Sequence, residues 1–208
     1  GIIDANPCQK VKRLKVTQRK DRVLSGDEIA VILDMPEGKD RLMILTALFT
    51  GMRLNEVLNL SWDDVDFSKG IIHVFQSKTG KTFDIPLSEC LRTALEAYRT
   101  HPAGSRVFED REITHKVVLT YSKHFSSLFK DMGFDGFTFH NLRHTFASIM
   151  QSDLGIGAVT VMGMTGHSSL GMLQKYSHTG LDSKQRAIQA LNSHVLTTGR
   201  NVNQAVGQ

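Results

Sequence analysis

The feature that most constrains the fold is a change of hydrophobic period in the middle of an otherwise helical chain. Before residue 60, apolar residues recur at intervals of three and four, as on one face of a helix. Between Trp62 and Pro86 the interval falls towards two. Val65 and Phe67, then Ile71, Ile72, Val74 and Phe75, then Phe83 and Ile85 make three short β-like runs. Ser68-Lys69-Gly70 and Thr79-Gly80 supply tight turns between them. Strands joined by such short turns can pair only with their sequence neighbours, and only antiparallel. After Pro86 the helical period returns. The expected fold class is therefore mainly α with a small antiparallel β-sheet (α+β).

The helices announce themselves locally. Ser25-Gly26-Asp27-Glu28 is a capping box, opening a helix that carries Ile29, Ile32 and Leu33. A second helix is predicted over 39–51, with Leu42, Leu45, Ala47, Leu48 and Phe49 mostly buried, and a short third over 53–60. Ser88 caps another through Leu91, Leu95 and Tyr98, stopping before Pro102. Further helices are predicted at about 116–132, 141–152, 158–164 and 169–177. A last amphipathic helix at 183–193 carries Ala187, Ile188 and Leu191.

A chain of 208 residues that is 40% hydrophobic and 22% charged is enough for one packed domain with tails. The expected division is a basic interdomain linker at 1–20, following a domain that is absent here, a catalytic domain at 21–195, and a polar, disordered tail at 196–208. The linker reading rests on Lys10, Lys12, Arg13, Lys15, Arg19 and Lys20. The net charge of +4 permits nucleic-acid binding without requiring it. Cys8 and Cys90 match no metal spacing. No apolar run reaches the length of a membrane span. A reducing, cytoplasmic setting is expected.

Six residues outside the core pattern point to phosphoryl chemistry. They are Arg53, Lys78, His140, Arg143, His167 and Tyr176. Two guanidinium groups suit the non-bridging oxygens of a phosphodiester, and a tyrosine can attack its phosphorus. Singly, each has a bland reading. Lys78 is a solvated hairpin-tip charge, with Lys81 its rival across the turn. Arg53 is a surface arginine paired with Glu56, and Tyr176 is a half-buried amphipathic side chain. His140 and His144 have zinc-like spacing, but Asn141 stands where the metalloprotease pattern needs Glu. Only the conjunction is informative.

The stretches Ala47-Leu48-Phe49-Thr50-Gly51-Met52-Arg53-Leu54-Asn55-Glu56, His140-Asn141-Leu142-Arg143-His144-Thr145-Phe146-Ala147 and Gly166-His167-Ser168-Ser169, with Tyr176, resemble the motifs of tyrosine recombinases, the phage-integrase type of strand-exchange enzyme. The resemblance runs from about Leu24 to Leu191. It implies the catalytic-domain fold of that family and a bacterial, DNA-associated enzyme that cuts and rejoins strands through a 3′-phosphotyrosine. Arg53, Arg143 and His167 would grip the phosphate, Lys78 would be the general acid, His140 would assist proton transfer and Tyr176 would be the nucleophile. Glu56 would orient Arg53. No cofactor or metal is implied. The implied partners are double-stranded DNA and further copies of the chain, as a homotetramer on paired sites, with the last helix docking on a neighbour. The sequence departs from the family where Asn141 replaces a frequent Asp, and where Met164-Thr165 replaces a frequent apolar pair. Three other functions compete: a type IB topoisomerase-like nicking-closing enzyme, a catalytically inactive DNA-binding module, and a zinc hydrolase.

Overall fold

The computed structural model describes residues 22–76, 80–99 and 106–166. The predicted linker, the tail and the helices expected at 169–177 and 183–193 lie outside the described residues.

The elements run α1 (Gly26–Leu33), α2 (Lys39–Thr50), α3 (Leu54–Asn59), β1 (Val65–Asp66), β2 (Ile71–Gln76), β3 (Lys81–Pro86), α4 (Glu89–Tyr98), α5 (His115–Asp131), α6 (Phe139–Ser148) and α7 (Ala158–Thr165). α2 lies at the centre. Met43, Ile44, Leu45 and Ala47 are all fully buried, so the helix is covered on every side rather than along one stripe. Its buried threonines are satisfied internally, Thr46 Oγ1 donating to Leu42 O at 2.8 Å and Thr50 Oγ1 to Thr46 O. α6, α4 and α3 pack around it. Phe125 and Phe129 of α5 join Phe134, Phe137 and Phe139 in an aromatic cluster, with the Phe129 and Phe137 rings 4.9 Å apart and edge-on.

The sheet is three-stranded and antiparallel in the order β1-β2-β3. Val65 pairs with Ile72, and Ile72 with Ile85, so the buried face is continuous across it. Phe75 and the His73–Asp84 pair fall on the other face. Among the described residues no helix is long and apolar enough to cross a membrane.

The sequence expectations differ from this fold mainly at element ends. β1 stops at Asp66 rather than Phe67, because the Asp66 carboxylate takes the Lys69 N–H and Asp66 O takes the Gly70 N–H, which starts the turn there. α6 begins at Phe139, two residues before the predicted start, with Asn141 serving inside its cap. It also ends short of the predicted 152. The helix stops at Ser148 and continues as one wider turn over Ile149–Asp153, closed by Leu154 N–H to Ile149 O at 3.0 Å.

Candidate active site

α2 ends on Gly51, which adopts φ +69°. A Cβ there would lie 2.6 Å from Phe146 Cδ1 and 3.0 Å from Thr165 Cγ2, so the turn requires glycine for both backbone and space. Met52 is buried behind it, and Arg53 follows in extended conformation as the residue that begins α3. Arginine has no acceptor with which to cap a helix. Glu56 reaches back instead. One carboxylate oxygen accepts the Arg53 backbone N–H and the other accepts Arg53 Nη1, both at 2.7 Å. The Glu56 side chain is 5% exposed and that of Arg53 is 35% exposed, so a buried carboxylate holds a guanidinium at the surface.

α6 supplies the second arginine. Thr138 precedes the helix, and the Asn141 side-chain oxygen accepts its N–H and hydroxyl at 2.8 and 2.7 Å. Asn141 Nδ2 donates to Arg22 O at 3.0 Å. The departure from Asp has a use here, since a carboxylate could accept from Thr138 but could not donate to Arg22. One turn on, Arg143 is 2% exposed, and its Nη1 donates to Gly51 O at 2.8 Å. α6 thus fixes the turn before Arg53 twice, through Arg143 and through the ring of Phe146. His140, on the same helix, is exposed, and its ring meets His144 edge-on at 4.6 Å. Among the described residues no third ligand-type side chain gathers with these two into a metal-binding group.

The hairpin and the end of α7 meet on the other side of Glu56. Gln76, the last residue of β2, closes the hairpin tip by accepting the Gly80 N–H at 2.8 Å. Its side chain is buried, and Nε2 donates to Glu56 Oε1 at 3.2 Å. α7 ends at Gly166 with φ +63°. A Cβ on Gly166 would lie 2.4 Å from Gln76 Nε2, so the glycine backbone rests directly on the amide. Thr165, in the place of a frequent apolar residue, is buried with its hydroxyl donating to Val161 O at 2.6 Å. Its methyl faces Gly51.

Of the six residues singled out in the sequence, Arg53 and Arg143 are brought to the two sides of one turn, and His140 lies a helical turn from Arg143. Lys78, His167 and Tyr176 lie outside the described residues. Lys78 falls between Gln76 and Gly80, and His167 directly follows Gly166. Lys81 is the first residue of β3, paired with Gln76. Sequence reasoning passed over Gln76. The signal was present: along Ile72, Val74 and Gln76 the inward alternation ends on a polar residue where an apolar one belongs.

The sequence profile of the phage integrase family matches residues 22–181. The shufflon-specific DNA recombinase of Escherichia coli is 26% identical over 199 residues, covering 91% of this chain and 50% of that protein. A tyrosine recombinase of Pseudothermotoga lettingae is 30% identical over 197 residues, covering 92% of this chain and 68% of the relative. The chain therefore spans between half and about two thirds of the length of these relatives. Among solved structures, a lambda integrase dimer bound to a COC′ core site superposes with a TM-score of 0.65 at 26% identity, covering 85% of this chain and 53% of that one. The Tn1549 transposon integrase in complex with transposon right end DNA gives 0.70 at 21% identity, covering 91% and 73%. The mainly helical fold with its small sheet is that of the tyrosine recombinase catalytic domain.

Proposed function

The chain belongs to the phage integrase family, and on that premise we propose that it is the catalytic part of a site-specific DNA recombinase that works through a 3′-phosphotyrosine. The observation that supports this best is the junction at Gly51. There Arg143 and Phe146 of α6 hold the turn that presents Arg53, while Glu56 holds Arg53 itself. Preorganised cations aimed at a reacting phosphate usually do more than any other group to lower the barrier in such chemistry.

In this reading Arg53, Arg143 and His167 donate hydrogen bonds to the non-bridging oxygens. The phenolic oxygen of Tyr176 attacks phosphorus while its proton passes towards His140. The bond from phosphorus to the 5′ oxygen breaks, and that oxygen takes a proton from Lys78. The products are a 3′-phosphotyrosyl ester and a free 5′ hydroxyl. The ester conserves the bond energy, so attack by a 5′ hydroxyl reverses the step without a nucleotide cofactor.

The substrate is double-stranded DNA, and the working assembly is a homotetramer on paired sites. An apolar groove of about 410 Å³ lies between α1, α2 and the end of α6, lined by Ile29, Leu33, Phe49, Phe146, Met150 and Leu154. Its occupant in this reading is the 183–193 segment of a neighbouring copy, whose Ala187, Ile188 and Leu191 match it in character.

The test is covalent trapping in a chelating buffer. The unsubstituted chain is incubated with nicked duplexes of randomised sequence, and adduct-forming DNA is recovered from a denaturing gel. A protein–DNA band that Tyr176→Phe abolishes supports the assignment. DNA binding with no adduct from either protein favours a non-catalytic DNA-binding module instead.

A further inference from the structure

The start of α3 and the end of α7 meet on one buried side-chain amide at the end of β2. The backbone oxygen of Gln76 accepts the Gly80 N–H at 2.8 Å. The Gln76 side chain donates to Glu56 Oε1 at 3.2 Å, the same oxygen that accepts Arg53 Nη1 at 2.7 Å. The end of that side chain lies against Gly166, where an added Cβ would come within 2.4 Å of Nε2 and 3.0 Å of Cδ. A carboxylate only accepts, so the amide must turn its nitrogen towards Glu56.

We propose that Gln76 is a positioning residue, whose side-chain amide sets the placement of Arg53 through Glu56 and keeps the Arg53–Glu56 pair in register with β2 and Gly166. The inference rests on the phosphoryl-transfer reading above. Glu56 takes three donors: the Arg53 N–H, Arg53 Nη1 and the Gln76 amide. Three donors leave a carboxylate little freedom to swing, and Arg53 is fixed through it. Without the amide, Glu56 keeps only its contacts to Arg53 itself. The pair can then move together relative to the hairpin and Gly166. Gln76 is 3% exposed and its amide nitrogen is turned to Glu56 and Gly166, so in this reading it acts through those neighbours rather than on the phosphate.

Two variants of the full chain test this on the adduct-forming nicked duplexes recovered with the unsubstituted chain. Gln76→Met keeps volume and burial but deletes the amide. Its rate of adduct formation at saturating DNA is expected to fall between about tenfold and about a hundredfold. Affinity for the duplex should stay within about twofold, because no phosphate contact is removed. Gln76→Glu faces one carboxylate with another, and a shared proton restores the hydrogen bond. Its rate relative to the unsubstituted chain is expected to rise as pH falls from about 8 to about 6. Thermal midpoints of both variants identify any general loss of folding. Two results overturn the inference: rates within about twofold of the unsubstituted chain, or rate, affinity and thermal midpoint falling together with a pH-independent ratio. If the unsubstituted chain yields no adduct, the phosphotyrosine reading itself fails, and the inference falls with it.

Discussion

At the scale of single residues, two arginines do opposite things with the same group. Arg143 is buried and donates to a backbone carbonyl, so part of its hydrogen bonding goes into holding the turn at Gly51. Arg53 is a third exposed and is held from below by Glu56, leaving its outer side towards solvent. The spacing of charged residues identified both positions but not this division, because burial depends on which helix crosses α2. Gly51 is where the two meet. Replacing it with alanine forces a side chain into φ +69° and against Phe146. The expected loss is about 2–4 kcal/mol, combining a left-handed backbone with overpacking. Urea denaturation of Gly51→Ala measures it; a loss below about 0.5 kcal/mol would show that the turn relaxes freely.

At the scale of elements, the caps and cross-links between helices carry the information that periodicity does not. Asn141 joins the start of α6 to the segment before α1, and Leu24 N–H donates to Thr145 Oγ1 on the same helix at 3.0 Å. Asn141→Asp keeps the cap but places a carboxylate against Arg22 O. It is expected to cost about 1 kcal/mol, because the Arg22 carbonyl it leaves unmet is only partly buried, and should raise proteolytic nicking before Leu24. Undiminished stability would show that Arg22 O finds another donor.

A second cross-link joins α2 to α5. Lys39 Nζ lies 2.6 Å from the Tyr121 hydroxyl, which donates to Glu109 Oε2 at 2.9 Å. Arg111 grips Glu109 with Nε and Nη2. The Arg111 hydrogen bonds, opposed by burial and aided by the Tyr121 hydroxyl, hold the Glu109 carboxyl down to about 2 from its ordinary 4.5. The sign follows directly. The native state binds fewer protons than the unfolded chain between these values, so the contribution is full above pH 4.5 and is lost as pH falls towards 2. In Glu109→Gln the acid limb of the stability profile should be shallower over that window, read from urea midpoints against pH. An unchanged limb would mean that other carboxylates dominate it.

At the scale of the whole molecule, the apolar groove between α1, α2 and α6 is the surface to which the proposed assembly assigns the 183–193 segment. Leu33 at 40% and Leu154 at 62% exposure sit at its edge, an arrangement suited to a helix arriving from outside. Removing residues from Leu181 onward is expected to leave the thermal midpoint within about 3 °C, because in the proposed assembly the 183–193 segment packs on a neighbouring copy rather than on its own domain. Paired-site complexes in a gel-shift assay should be lost, while single-site binding persists. Retained pairing would exclude the 183–193 segment as the groove's occupant.

The order of the described elements, the antiparallel sheet and the family followed from local signals alone. Period, capping residues and turn glycines are properties of neighbouring residues, and so were the spacings of Arg53, His140 and Arg143. Only the tertiary structure decided which arginine is buried, why Asn141 suits its place, and that Gln76 lies beneath Glu56 and Gly166. Each of these depends on contacts between segments distant in sequence, such as α6 with Gly51 and β2 with α3. The free energy of such a contact comes from packing and shared hydrogen bonds, and no single stretch of the chain encodes it.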